Sequence, residues 1–195
     1  MKTKLMLALV LAALGQGSAH GAPVQMQHAS ITATYNGAAS GMLGLDHGFA
    51  AEPGSNTSML DPAGIGVEFF TSDFLFGIDF EASGALTVIA NYAIAPGPYS
   101  MRFDFGSSIA STPITAFRLA GSSGASGTPG LSIIDSHTIA LDFSTVNWNE
   151  FGSMTALIET AAPMAVAVSE PGAPAMALAG LAALLLSRGR RTPRA

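Results

Sequence analysis

Residues 74–81 read FLFGIDFE, and Phe74, Phe76, Ile78 and Phe80 alternate there with Leu75, Gly77, Asp79 and Glu81. Successive side chains of an extended chain point to opposite sides. This period of two therefore predicts a strand with its aromatic face turned inward and with Asp79 and Glu81 turned to water. The stretch MRFDFG at 101–106 repeats the device, with Met101, Phe103 and Phe105 facing in and Arg102 and Asp104 facing out. In HTIALDFS at 137–144, Ile139, Leu141 and Phe143 oppose Ala140, Asp142 and Ser144. Three segments with one wet face each predict antiparallel sheets packed through their apolar faces.

Working outward, ASITATY (29–35), GVEFF (66–70), ALTVIANYAI (85–94), ITAFRLA (114–120), LSIIDS (131–136) and SMTALIET (153–160) supply further strands, eight or nine in all. Turn-forming clusters separate them: YNGAAS, EPGSN, DPAGIG, APGP and, at 121–130, GSSGASGTPG, which reads as a flexible loop between strands. The predicted fold is all-β, a two-sheet antiparallel sandwich with jelly-roll connections as one way of joining its strands. No period of 20–50 residues indicates a solenoid.

Charge is divided along the chain. Between residues 22 and 168 the only basic side chains are Arg102 and Arg118, against twelve acidic ones, a net of −10, whereas the whole chain carries −5. Such a surface repels a phosphate backbone, so nucleic acid is not an expected partner. There is no cysteine, hence no disulfide framework and no thiolate metal site.

The two ends have another character. Residues 1–21 combine Lys2 and Lys4, an apolar run from Leu5 to Leu14 and small residues at cleavage points after Ala19 or Gly21, the three parts of a secretory signal helix. At the other end, after VSEPG at 168–172, an apolar helix is expected over 173–186, and a cluster of arginines follows at 188–194. Its 14 positions span roughly 21 Å as a helix, so Arg188, Arg190 and Arg191 must snorkel to headgroups for it to serve as a transmembrane anchor, stopped on the cytoplasmic side. The resulting organisation is a signal peptide at 1–21, a β-sandwich domain at 22–165 and a sorting tail at 166–195.

These tail residues resemble the PEP-CTERM sorting signal of Gram-negative bacteria. Glu170 and Pro171 match the second and third motif positions, and Ser169 stands where the family has its first proline. The resemblance covers residues 168–195. It implies recognition by exosortase, a membrane-embedded cysteine peptidase, after transient anchoring in the inner membrane. It also implies a destination at the outer surface or in the extracellular matrix, alongside exopolysaccharide.

Chemical motifs in the body are sparse. Asp79 and Glu81 lie about 6.6 Å apart along one strand face, which invites comparison with a glycosidase carboxylate pair, and a solvated face explains them as well. His28, His47 and His137 show no zinc-ligand spacing, and Asp46, Asp61 and Asp73 sit in loops where calcium is conceivable without the spacing of an EF-hand. No metal or cofactor is expected. No Gly-x-Ser-x-Gly elbow is present, and Asn56 in NTS fits the glycosylation pattern. Trp148, between polar neighbours in NWNE, is expected at a core or rim position, because large aromatics are mostly buried; the alternative is an indole for stacking on a sugar, which Tyr92 and Tyr99 extend if the fold brings them near. The expected function is that of an exported, non-enzymatic surface or matrix protein sorted by exosortase. A polysaccharide-binding module is the alternative, and a glycoside hydrolase using Asp79 and Glu81 ranks behind both.

Overall fold

The alternating segments become strands because each buries one row of side chains between two sheets. The computed structural model describes residues 22–23, 26, 28–60, 66–109 and 112–161. The expected signal helix, the domain boundary at 165 and the whole sorting tail lie outside the described residues, as does Asp61. In chain order the strands are β1 (Ala22–Pro23), β2 (Ser30–Tyr35), β3 (Met42–Gly44), β4 (Thr57–Met59), β5 (Phe69–Thr71), β6 (Phe76–Phe80), β7 (Ala85–Ala90), β8 (Ser100–Asp104), β9 (Ile114–Ser126), β10 (Gly130–Asp135), β11 (Thr138–Asp142) and β12 (Asn147–Thr160). Single-turn 3-10 segments occur at Ala39–Gly41, Leu45–His47 and Gly106–Ile109. Among the described residues no helix is long and apolar enough to cross a membrane.

The strands form two antiparallel sheets, as the alternation predicted. The first runs β1-β12-β7-β6-β5-β3, with β9 also paired to β12, and the second runs β10-β11-β8-β2-β4. Four of the twelve strands among the described residues, β1, β3, β4 and β5, are only two or three residues long, too short to show a period by themselves, and of these only β5 overlaps a segment read from the sequence, GVEFF.

Between the sheets, Phe76 is the hub of an aromatic cluster. Its ring lies 5.5 Å from Trp148, 5.7 Å from Tyr99, 6.0 Å from Phe143 and 6.4 Å from Tyr35. Phe80 meets Phe103 at 5.0 Å and Phe105 at 5.8 Å. Most of these contacts are edge-on, the geometry the ring quadrupole favours. Met101, Phe103, Phe105, Ile139, Leu141 and Phe143 are all buried, as their alternation required.

Two expectations are corrected. The stretch 121–130 is not a loop: residues 121–126 continue β9, where Gly121, Ser122, Ser123, Ala125 and Ser126 pair with β12, and only 127–129 link to β10. Gly127, at φ +99°, makes that link. Glycine is needed where the backbones crowd: a Cβ on Gly124 would meet Gly152 Cα at 3.2 Å, and one on Gly152 would meet the carbonyl oxygen of Gly124 at 2.5 Å. The second correction concerns Phe74, whose ring does not join Phe76, Ile78 and Phe80 inside. It is 49% exposed, with φ +56°.

Candidate functional site

The turn before β6 explains Phe74. The Phe74 N–H donates to Thr71 O (2.8 Å), closing a turn from which a residue in the left-handed region leads into the next strand. Glycine normally takes that place. Asp73 locks the turn: its Oδ1 accepts from the Thr71 hydroxyl (2.6 Å) and the Leu75 N–H (3.1 Å), and its Oδ2 accepts from the buried Tyr35 hydroxyl (3.0 Å). Burial first, and then the charge of Asp73, pushes the Tyr35 phenol far above its ordinary value. A left-handed backbone at a non-glycine residue costs about 1–2 kcal/mol. Here it swings the ring outward, to 6.1 Å from Phe70, which itself lies 4.9 Å from Phe49. Phe49 is also left-handed, with φ +59°.

Phe70 shows which face this cluster occupies. A Cβ on Gly77 would touch the Phe70 ring and Val67, each at 3.2 Å, so both side chains lie over Gly77 on the outer face of the first sheet. From there a row runs in register across five strands: Phe70, Gly77, Ile89, Ser153 and Ser123. A parallel row consists of Asp79, Thr87, Thr155 and Gly121, with the two threonine hydroxyls 3.0 Å apart. Asp79 is therefore on an outer face, as alternation predicted, and half-buried there. Burial, and then the charge of Glu81, raises its carboxyl above the usual range. Glu81 is exposed just past the end of β6 and accepts from the Ser83 hydroxyl (3.1 Å).

Trp148 takes the core position that the sequence favoured, and the alternative, a sugar-stacking platform of Trp148, Tyr92 and Tyr99, does not form. Trp148 is 1% exposed, packed edge-on between Phe76 and Phe143, with no acceptor for its Nε1–H among the described residues. Its mutual backbone hydrogen bonds with Ile94 (2.9 Å each way) direct the side chain inward, which the polar neighbours in NWNE conceal. Tyr99 packs on the same core, and Tyr92 alone is open, at 57%. The register of Ile89 with Ser153 continues to the bridge of Ile94 with Trp148, so the backbone of Phe151 stands level with Asn91. Phe151 is 71% exposed and again left-handed, at φ +57°. Asn91 ties this end together by donating its side-chain N–H to Phe74 O (2.7 Å).

The outer face of the second sheet is a polar trough. A cavity of about 470 Å³ and an adjoining one of about 330 Å³ share Thr34, Gly37 and Arg102. Thr34, Arg102, Ala140 and Ser132 stand in register across it, with Asp104 and Asp142 to either side. Asp104 Oδ1 accepts from the Gly106 N–H and Asp142 Oδ1 from the Ser144 N–H, both at 2.8 Å. Arg118 is paired with Glu159 (2.6 Å), whereas the Arg102 guanidinium has no hydrogen bond or ion pair among the described residues. Nearby, the His137 N–H and then the Thr138 hydroxyl hold Asp135 below the usual carboxylate range, with a smaller contribution from Arg102.

The remaining candidates are dispersed. His47 pairs with Glu52 (2.7 Å), Asp46 accepts from the Met59 N–H (2.8 Å), and the Asn56 side chain donates to Ala33 O (3.0 Å). Among the described residues no three His, Asp or Glu side chains gather into a metal-sized group. Sequence reasoning missed Phe70, Phe74 and Phe151 as surface features, and it placed Arg102 on a wet face without the trough around it. The one signal available was Ser72-Asp73, a turn pair directly before Phe74. No family model, curated protein or solved structure matches this chain.

Proposed function

We propose that the protein is an exported, non-enzymatic component of the cell surface or extracellular matrix, delivered by a sorting tail that exosortase recognises. The tail order carries this reading: Ser169, Glu170 and Pro171, then an uncharged run from Ala175 to Leu186, then Arg188, Arg190 and Arg191, in a chain that opens with an export segment. The −10 charge of residues 22–168 supports the exclusion of nucleic acid as a partner. The test is mass spectrometry of the C-terminus in a host that makes exosortase. Wild type should lose its tail and leave the inner membrane, and the double variant Glu170→Ala, Pro171→Ala should keep the tail and stay there. Identical termini in both would remove the proposal.

A second reading, polysaccharide binding, is favoured by a specific observation. The outer face of the first sheet joins open phenylalanine rings to rows of serine and threonine hydroxyls, the combination of apolar face and hydrogen-bonding edge that a sugar ring presents in return. The trough around Arg102 is the competing surface for the same role.

A further inference from the structure

We infer that the outer face of the first sheet is a binding platform for a neutral polysaccharide, with Phe74 as its principal stacking residue and Phe70 and Phe49 as its support; this rests on the polysaccharide-binding reading. Backbone and side chain point the same way. A turn whose geometry suits glycine carries Phe74 instead, and the left-handed φ turns the ring out of the core face onto which alternation would place it. Phe151 repeats the combination of left-handed backbone and open ring two strands away, at the same end of the sheet. The left-handed backbone costs folding free energy and an exposed ring returns little of it through burial, so their coincidence at one place marks a surface kept for a ligand.

The floor beside the rings identifies the ligand class. The row from Phe70 to Ser123 crosses four strand gaps, about 19 Å, and beyond Ile89 it is built from small hydroxyl residues rather than further aliphatic ones. Thr87 and Thr155 add hydroxyls, and Asp79 adds an acceptor. A lipid face would leave Ser153, Ser123 and Asp79 without partners on contact, whereas an extended sugar chain offers a C–H face to the rings and hydroxyls to the floor. The acidic balance of the body, with Asp79 and Glu81 on this side, disfavours a uronate-rich chain and selects a neutral one.

The test is retention of the full chain, purified in detergent, on microcrystalline cellulose, an insoluble β-1,3-glucan and cross-linked dextran, with polygalacturonate as the anionic probe. Wild type should be retained on at least one neutral glucan and not on polygalacturonate. Phe74→Asn, which suits the left-handed backbone, should weaken retention at least tenfold without lowering the unfolding midpoint, and Phe74→Tyr should restore it. Retention of wild type that Phe74→Asn leaves intact, or that Arg102→Gln abolishes instead, would overturn the placement and leave polysaccharide binding standing. No retention of wild type on any glucan would remove the polysaccharide reading itself. A wild-type dimer, lost in Phe74→Asn and unaffected by glucans, would give the face to a second copy of the chain.

Discussion

Two groups of aromatic rings are built from the same residue type by opposite backbones. Phe76, Phe80, Phe103 and Trp148 sit on extended strands, where alternation carries them into the space between the sheets and edge-on contacts hold them there. Phe49, Phe74 and Phe151 have positive φ and lie wholly or partly at the surface. The first group stabilises the fold by removing apolar area from water. The second group carries backbone strain with much less burial to offset it. A ring's identity therefore says little about its role until the backbone that aims it is known.

The largest expected effect is at the centre of the buried group. Trp148→Ala should cost about 3–5 kcal/mol in urea unfolding, because it empties the space between Phe76 and Phe143. A loss below about 1 kcal/mol would mean that Trp148 is a surface residue and that the contrast fails. Next comes the link between the groups. Tyr35 touches Phe76 with its ring and Asp73 with its hydroxyl, so it joins the core to the turn that presents Phe74. Tyr35→Phe should cost about 1–2 kcal/mol by the same measurement, the value of a partly buried hydrogen bond to a carboxylate.

The smallest effect tests the outer face itself. Burial and Glu81 raise the Asp79 carboxyl in the folded protein, so its protonated form is favoured by folding. That contribution is fully present below the unfolded value of about 3.9 and is lost as pH rises through the higher folded value. At pH 7 ionised Asp79 opposes folding. Asp79→Asn should therefore raise the Tm at pH 7, and the gain should vanish below about pH 4. A gain independent of pH would mean that charge is not the cause.

Much of the fold was legible because period-two alternation is a local property of extended chain. It placed Phe76, Ile78, Phe80, Met101, Phe103, Phe105, Ile139, Leu141 and Phe143 inside without knowledge of their partners. It failed at Phe74, where the pattern runs on in sequence but the backbone has already turned. It was silent at β3 and β4, whose three residues pair with strands far along the chain. Composition misled at 121–126, where glycine and serine suggested a loop and the segment instead pairs with β12, with Gly124 fitted to its close approach to Gly152. The candidate site was the least legible part: Arg102 was known to face water, but not that Thr34, Ser132 and Asp142 would gather around it.

By itself the sequence determined the all-β class, the inward rows of the regular strands, the acidic body and the order of residues from Ser169 to Arg191, since each is read from neighbours in the chain. Only the tertiary structure decided that Trp148 is buried, that 121–126 is strand and that Phe70, Phe74 and the threonine row share one face. Those outcomes depend on turns, bulges and pairings between segments tens of residues apart, and a one-residue change in any of them sends a side chain to the other side of the sheet.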